Sequence, residues 1–408
     1  MEALIDLAAS DDDATAAAAS KVLFRDIVET LADSFEPAHS ALYRGFFARL
    51  IGQVRRKPGF EELDQALTLV GVRSTRDLLR RAQAPPPQRS DLNGLQRILV
   101  PSRVTLGADI AVSSVALAGL RHRFPAAEIV FVGGPKNADL FAGAKNIQTA
   151  AAPYPRGGTL RQRLAVWPQL LRIALRERDA ASDGRLLILD PDSRMTQLGL
   201  LPLGADGELR LSFDSRAFGG HSSKPLAEVT ADWLDAFLGE TDRRALPWTT
   251  FRQAETPVEM RPLAAVSFGL GGNPSKRVSA AFEARALESL IERGYRIALD
   301  CGLGEEEAAR VAPLAERVRA TNGLVHQGSF RGFGEIVTAA DLFVGYDSSF
   351  GHLAAAMGTR GVTVFAGAVS DRMRRRWTPS GLGQSTVIDV SPGETDAAVL
   401  ARFEQALP

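Results

Sequence analysis

Asp341-Leu342-Phe343-Val344-Gly345-Tyr346-Asp347-Ser348-Ser349-Phe350-Gly351-His352-Leu353-Ala354-Ala355-Ala356-Met357-Gly358 joins an apolar run, a turn of small hydroxylated residues and an alanine-rich helix. That order is how a buried strand of a parallel sheet delivers the chain to a helix. A helix start leaves backbone N–H groups without intrahelical partners, and the helix dipole adds partial positive charge there. Diphosphates suit such a place, and open α/β sheets bind ligands beyond the carboxyl ends of their strands. Ser348 and Ser349 would add hydroxyl donors. The plainer alternative makes one serine an N-cap and Asp347 a turn former.

A second strand-to-helix junction precedes it, where Ala264-Ala265-Val266-Ser267-Phe268 runs into Gly269-Leu270-Gly271-Gly272-Asn273-Pro274-Ser275-Lys276-Arg277. Glycines let backbone approach a ligand closely, and Lys276 offers a compact positive charge. The spacing fits neither a P-loop nor a dinucleotide fingerprint, and a solvated basic loop is the alternative. Helix and strand patterns then alternate, with strands read at 295–299, 324–326, 341–345 and 361–365. A last helix is expected to open at Ser391-Pro392-Gly393-Glu394 as a capping box.

Upstream, the same alternation runs through strands at 97–100, 128–132 and 186–189 and a helix from Thr159 carrying Pro168. Pro101 to Ala111 holds a glycine turn followed by Asp109 near a helix start, where a carboxylate serves either as a base toward a hydroxyl or as a cap. Asp190 to Gln197, beyond the third of these strands, offers Asp192 and Arg194 to sugar hydroxyls or an anionic group. A cap by Asp192 or Ser193 is the alternative there. His221, Trp167 and Arg372 to Arg376 read as a loop histidine, a core aromatic and a solvated basic face.

Residues before 84 show only helical spacing, and Ala84-Pro85-Pro86-Pro87 cannot continue a helix. A linker is expected there, and a second connection from Leu246 to Pro262, marked by Pro247, Pro257 and Pro262. The division is therefore 1–90 all-α, 91–250 a first α/β lobe and 251–408 a second.

The chain has 408 residues, 45% of them apolar, with 48 basic and 48 acidic side chains. Zero net charge leaves no global field for nucleic acid. One cysteine and five histidines give neither a disulfide framework nor zinc-ligand spacing, so no metal is expected. The acidic N-terminus lacks a signal-peptide pattern and no run reaches membrane-helix length, so a cytoplasmic protein is expected, touching a membrane only peripherally.

At three places the sequence resembles glycosyltransferase family 9, the ADP-heptose:lipopolysaccharide heptosyltransferase group. Asp347-Ser348-Ser349-Phe350-Gly351-His352-Leu353-Ala354-Ala355 resembles the Asp-Thr-Gly-Leu-x-His-Leu-Ala-Ala signature. Ser275-Lys276-Arg277 is similar to the lysine-bearing loop, and Leu106-Gly107-Ala108-Asp109 with Arg121 to Val130 to the first turn and following stretch. Two departures stand out: Ala108 sits between the glycine and Asp109, and Ser349 replaces a glycine.

The resemblance implies a GT-B fold of two Rossmann-like lobes facing a cleft, here preceded by an all-α N-terminal region. It implies an inverting, metal-independent transfer from a nucleotide-diphosphate sugar, with an ADP-linked donor among the candidates and no cofactor. The acceptor would be a hydroxyl of a glycan, a lipid-linked saccharide or a protein. Asp109 would be the base; Gly271, Ser275, Lys276, Glu305, Asp347, Ser348, Ser349 and His352 would hold the donor; Asp192 and Arg194 would face the acceptor. Sugar-nucleotide epimerases and phosphorylases share the fold, and a non-catalytic sugar-nucleotide binder whose helices recruit a partner is a further alternative.

Overall fold

The computed structural model describes residues 2–255, 261–368 and 370–408. The chain divides into two compact units, residues 1–223 with 229–245, and residues 224–228 with 246–408. Pro257, one of the three prolines of the expected connection, lies outside the described residues.

The first unit carries five parallel strands: β1 (Arg97–Pro101), β2 (Glu128–Gly133), β3 (Ile147–Ala151), β4 (Leu187–Asp190) and β5 (Leu209–Ser212). Their spatial order is β3-β2-β1-β4-β5. β1, β2 and β4 are buried almost throughout, as strands covered on both faces must be.

Helices occupy the chain up to Ala82. Their apolar residues Leu23, Phe24, Tyr43, Phe47, Ile51 and Leu67 join Trp167, Leu170, Ile188 and Leu200 in one hydrophobic core, so the helical region and the first sheet bury their apolar faces against each other. Polar contacts seal the junction at the carboxyl side of the sheet. Tyr43 donates to Gln197 (3.0 Å), Arg216 donates to the Ala32 carbonyl (2.7 Å), and Ser40 and Arg44 both meet Asp214.

The second unit holds β6 (Leu263–Ser267), β7 (Arg296–Asp300), β8 (Leu324–His326), β9 (Leu342–Tyr346), β10 (Arg360–Phe365) and β11 (Ser385–Asp389). All are parallel, in the order β11-β10-β9-β6-β7-β8. Counted within the unit, that is the doubly wound order in which the winding reverses between the first and fourth strands. Those strands, β6 and β9, are the two whose loops drew attention in the sequence. Ser267 is paired with Gly345 across them, and a Cβ on Gly345 would run into the Ser267 carbonyl oxygen. Only glycine lets β9 lie so close to β6 at this point.

One expected boundary moves. Ser391 to Glu394 forms a turn in which Glu394 accepts from the Ser391 N–H, and the last helix begins at Asp396 with Thr395 as its cap. Threonine at 395 already supplies an acceptor one step before the helix, so the helix starts there.

Candidate functional site

Because β6 and β9 are neighbours, the chain leaves their carboxyl ends side by side. Lys276 closes a short 3₁₀ turn, Pro274–Lys276, capped by the Asn273 side chain. Its ammonium reaches across to the next junction and donates to the Asp347 carbonyl (2.9 Å) and carboxylate (2.6 Å). Such charge-assisted contacts tie the two loops together.

Ser348 stands at the N-cap position of helix Ser349–Met357 yet makes no cap hydrogen bond. Its Oγ is buried without a partner. A hydroxyl serving only as a cap would be bonded to an amide of the first turn, so the plain capping account of Ser348 does not describe this turn. A buried polar atom left unsatisfied is costly and calls for a ligand or a role.

His352 lies one turn further along the helix, 5% exposed, its ring edge-on to Trp377 at 5.9 Å. Burial pushes its pKa down to about 4, against the pull of Asp347. It is therefore neutral at physiological pH.

Thus Lys276, Asp347, Ser348, Ser349 and His352 are gathered at one place. Ser275 is exposed and bonded to Asn273 (2.7 Å), and Gly271 is an exposed loop residue with φ +58°. Glu305, in the first turn of helix Glu305–Ala320, faces solvent. The glutamate that lies over the sheet is Glu307, whose carboxylate fills the space that a Cβ on Gly269 or Gly302, just past the ends of β6 and β7, would need. Glu307 was not singled out in the sequence. Three consecutive glutamates leave open which one turns inward, and helical geometry selects the third, since side chains two positions apart point about 200° apart.

In the first unit Asp109, expected either as a base or as a cap, is held by its own turn. Asp109 is fully buried. Its carboxylate accepts four hydrogen bonds: from the Ser102 hydroxyl (2.6 Å), the Arg103 N–H (2.7 Å), the Asn137 amide (2.6 Å) and the Ser113 hydroxyl. Burial raises its pKa while these donors pull it down. So enclosed, the carboxylate anchors the turn that follows β1.

Leu106 to Ala108 forms the helix start, and Asp109–Ser113 continues as a π-helical turn, the usual way for a helix to absorb one extra residue. Each helical step turns a side chain by about 100°. At the first position of that turn Asp109 points inward.

Asp192 is likewise enclosed. It is 3% exposed and engaged by Ser215 and the Arg216 guanidinium. Ser193 caps a 3₁₀ turn, accepting from the Met195 N–H. Arg194 remains half-buried, its guanidinium 3.4 Å from the Tyr43 hydroxyl. Beside Met195 a cavity of about 300 Å³ opens at the carboxyl ends of β1 to β3, lined among others by Ser102, Val104, Gly134, Lys136 and Tyr154.

Trp167 is fully buried and His221 exposed, as read. The run Arg372 to Arg376 is not a uniformly solvated face, because Arg376 is 1% exposed and Arg374 pairs with Asp389 at 2.8 Å. Among the described residues no group of three or more His, Cys, Asp or Glu is placed to hold a metal ion, and no helix is long and apolar enough to cross a membrane.

Two doubly wound parallel-sheet units in series, with a diphosphate-compatible junction at the switch point of the second, make a GT-B-type fold. Residues 250–388 match the model of glycosyltransferase family 9 (heptosyltransferase), and the resemblance seen in the motifs is a similarity to that family. Lipopolysaccharide heptosyltransferase 3 of Escherichia coli (strain K12) is 33% identical over 96 residues, 23% of this chain. The match spans only 28% of that protein's length.

Among solved structures, E. coli heptosyltransferase WaaC with ADP superposes with a TM-score of 0.56 at 16% identity, covering 76% of this chain and 100% of WaaC. The glycosyl transferase family 9 structure from Veillonella parvula DSM 2008 gives 0.55 at 18% identity, covering 80% and 95%. At these identities the structures speak for the fold.

Proposed function

We propose that the chain is a heptosyltransferase-like glycosyltransferase whose second unit binds a nucleotide-diphosphate sugar. The observation that carries this reading is the junction of Lys276 with Asp347 beside the unpartnered Ser348 hydroxyl. A diphosphate placed there would receive the Ser348 Oγ, the amides opening helix Ser349–Met357 and the Lys276 ammonium. Those donors would stabilise the charge that grows on the leaving diphosphate, without a metal ion. Glu307, above the ends of β6 and β7, would accept hydroxyls of the ribose. In a single displacement the acceptor oxygen bonds to the anomeric carbon as the diphosphate departs, the hydroxyl proton passing to the leaving diphosphate, and the anomeric carbon is inverted. The cavity beside Met195 and Tyr154 would take the acceptor group, with Arg194 and Lys136 the nearby cations.

ADP-linked sugars come first as donors, because WaaC is the similar protein solved with ADP. Calorimetric titration with ADP, UDP, GDP and TDP tests the reading: one of them should bind in the micromolar range, and failure of all four would refute it. The sealed carboxylate of Asp109 favours a second reading, a sugar-nucleotide binder without transfer. Acceptor-dependent release of nucleoside diphosphate from the bound sugar nucleotide separates the two.

A further inference from the structure

Glu283 lies in helix Ala280–Glu292, 1% exposed, and no motif drew attention to it. Three groups converge on its carboxylate. Arg277 donates through Nε to one oxygen and Nη2 to the other, both at 2.9 Å. Arg310 donates to Oε1 at 3.2 Å, and the Tyr346 hydroxyl donates to the same oxygen at 3.2 Å.

Each partner has a second attachment or a telling position. Arg310 also holds the Phe268 carbonyl (2.7 Å), where the glycine-rich loop departs from β6. Tyr346 accepts from the Val278 N–H (3.2 Å), where the loop ends, and is the residue before Asp347. Arg277 is the residue after Lys276. One buried carboxylate therefore ties down the start of the Lys276 loop, its end, and the carboxyl end of β9.

We propose that Glu283 is a positioning residue for the diphosphate site: it fixes the glycine-rich loop at both ends, so that Lys276 is held at the Asp347 turn before ligand arrives. This rests on the sugar-nucleotide reading above. A loop containing Gly269, Gly271 and Gly272 has large conformational freedom to lose on binding, and tying both its ends removes much of that loss beforehand.

Replacing Glu283 itself would leave two arginines around a neutral group inside the unit, so the sharper variant is Arg277→Gln. It releases the loop end while Arg310 and Tyr346 still compensate Glu283. Lys276 is untouched. The melting temperature should stay within a few degrees of wild type, while the Kd for ADP, or whichever of the four nucleoside diphosphates binds, rises at least tenfold. Arg277→Lys, keeping charge without the bidentate fork, should fall between. Amide hydrogen exchange should accelerate at least tenfold across 269–277 and stay unchanged in β6.

Affinity within twofold of wild type, or exchange rising through the whole second unit, would overturn the proposal. If no nucleoside diphosphate binds wild type, the functional reading fails, and the exchange comparison still decides whether Glu283 holds the loop.

Discussion

Lys276 and Asp347 form the contact where the proposed diphosphate would bind, which makes their replacement informative. Lys276→Gln should weaken nucleoside diphosphate binding by about 10- to 100-fold, the loss of one charge-assisted contact of roughly 1.5–3 kcal/mol. Isothermal titration reads this directly, and unchanged affinity would place the phosphates elsewhere. Asp109→Asn makes the opposite kind of prediction. An amide NH₂ would face hydroxyl and amide donors, so stability should fall by about 2–3 kcal/mol and the melting temperature by several degrees. A variant that melts like wild type but loses activity would return Asp109 to the chemistry.

His352 adds a pH signature. Its folded pKa of about 4 is below the ordinary histidine value, so between pH 6.5 and 4 the unfolded chain takes up a proton that the folded chain refuses. Stability is therefore full above pH 6.5 and lost as pH falls, by about 3 kcal/mol near pH 4. His352→Phe should flatten that part of a melting-temperature profile, and an equally steep profile would assign the loss to other groups. The two junctions at Lys276 and Asp347 were legible because they follow strands whose apolar runs are unmistakable. Glu283 and the enclosure of Asp109 were not, since each depends on partners brought in from other elements: Tyr346 and Arg310 in one case, Asn137 in the other.

At the scale of elements, the strands found by pattern are mostly those with neighbours on both sides. β3, β5 and β11 escaped, and all three are sheet edges. Ile147-Gln-Thr-Ala-Ala and Leu209-Arg-Leu-Ser are only partly covered, so their sequences lack the continuous apolar run that burial on both faces demands. The π-helical turn at Asp109–Ser113 was foreshadowed by Ala108, but an extra residue does not announce whether a helix bulges or rotates. Gly345 gives an element-scale prediction. Gly345→Ala should force β9 away from Ser267 and lower the melting temperature sharply, by more than an exposed glycine-to-alanine change such as Gly157→Ala in the first unit. Comparable melting of the two variants would show that the strands tolerate separation.

At the scale of the molecule, the proline run suggested a linker between the helical region and the first lobe. The helices instead share a core with the first sheet, something periodicity cannot reveal because an apolar stripe does not name its partner. Deleting residues 2–83 should therefore expose the faces of Trp167, Leu170 and their neighbours and give an aggregating product. A soluble, monomeric deletion would show that the helices are dispensable to the fold.

The bond from Arg216 to the Ala32 carbonyl spans 184 positions, and that span sets an order of events during synthesis. Helices that leave the ribosome first must wait for β4, β5 and the segment behind them before their apolar stripes can be covered. At about 5 to 20 residues per second the delay is roughly 10 to 40 s. Throughout it the nascent chain carries uncovered leucines and phenylalanines, which leaves its early segment open to aggregation until the first sheet is made.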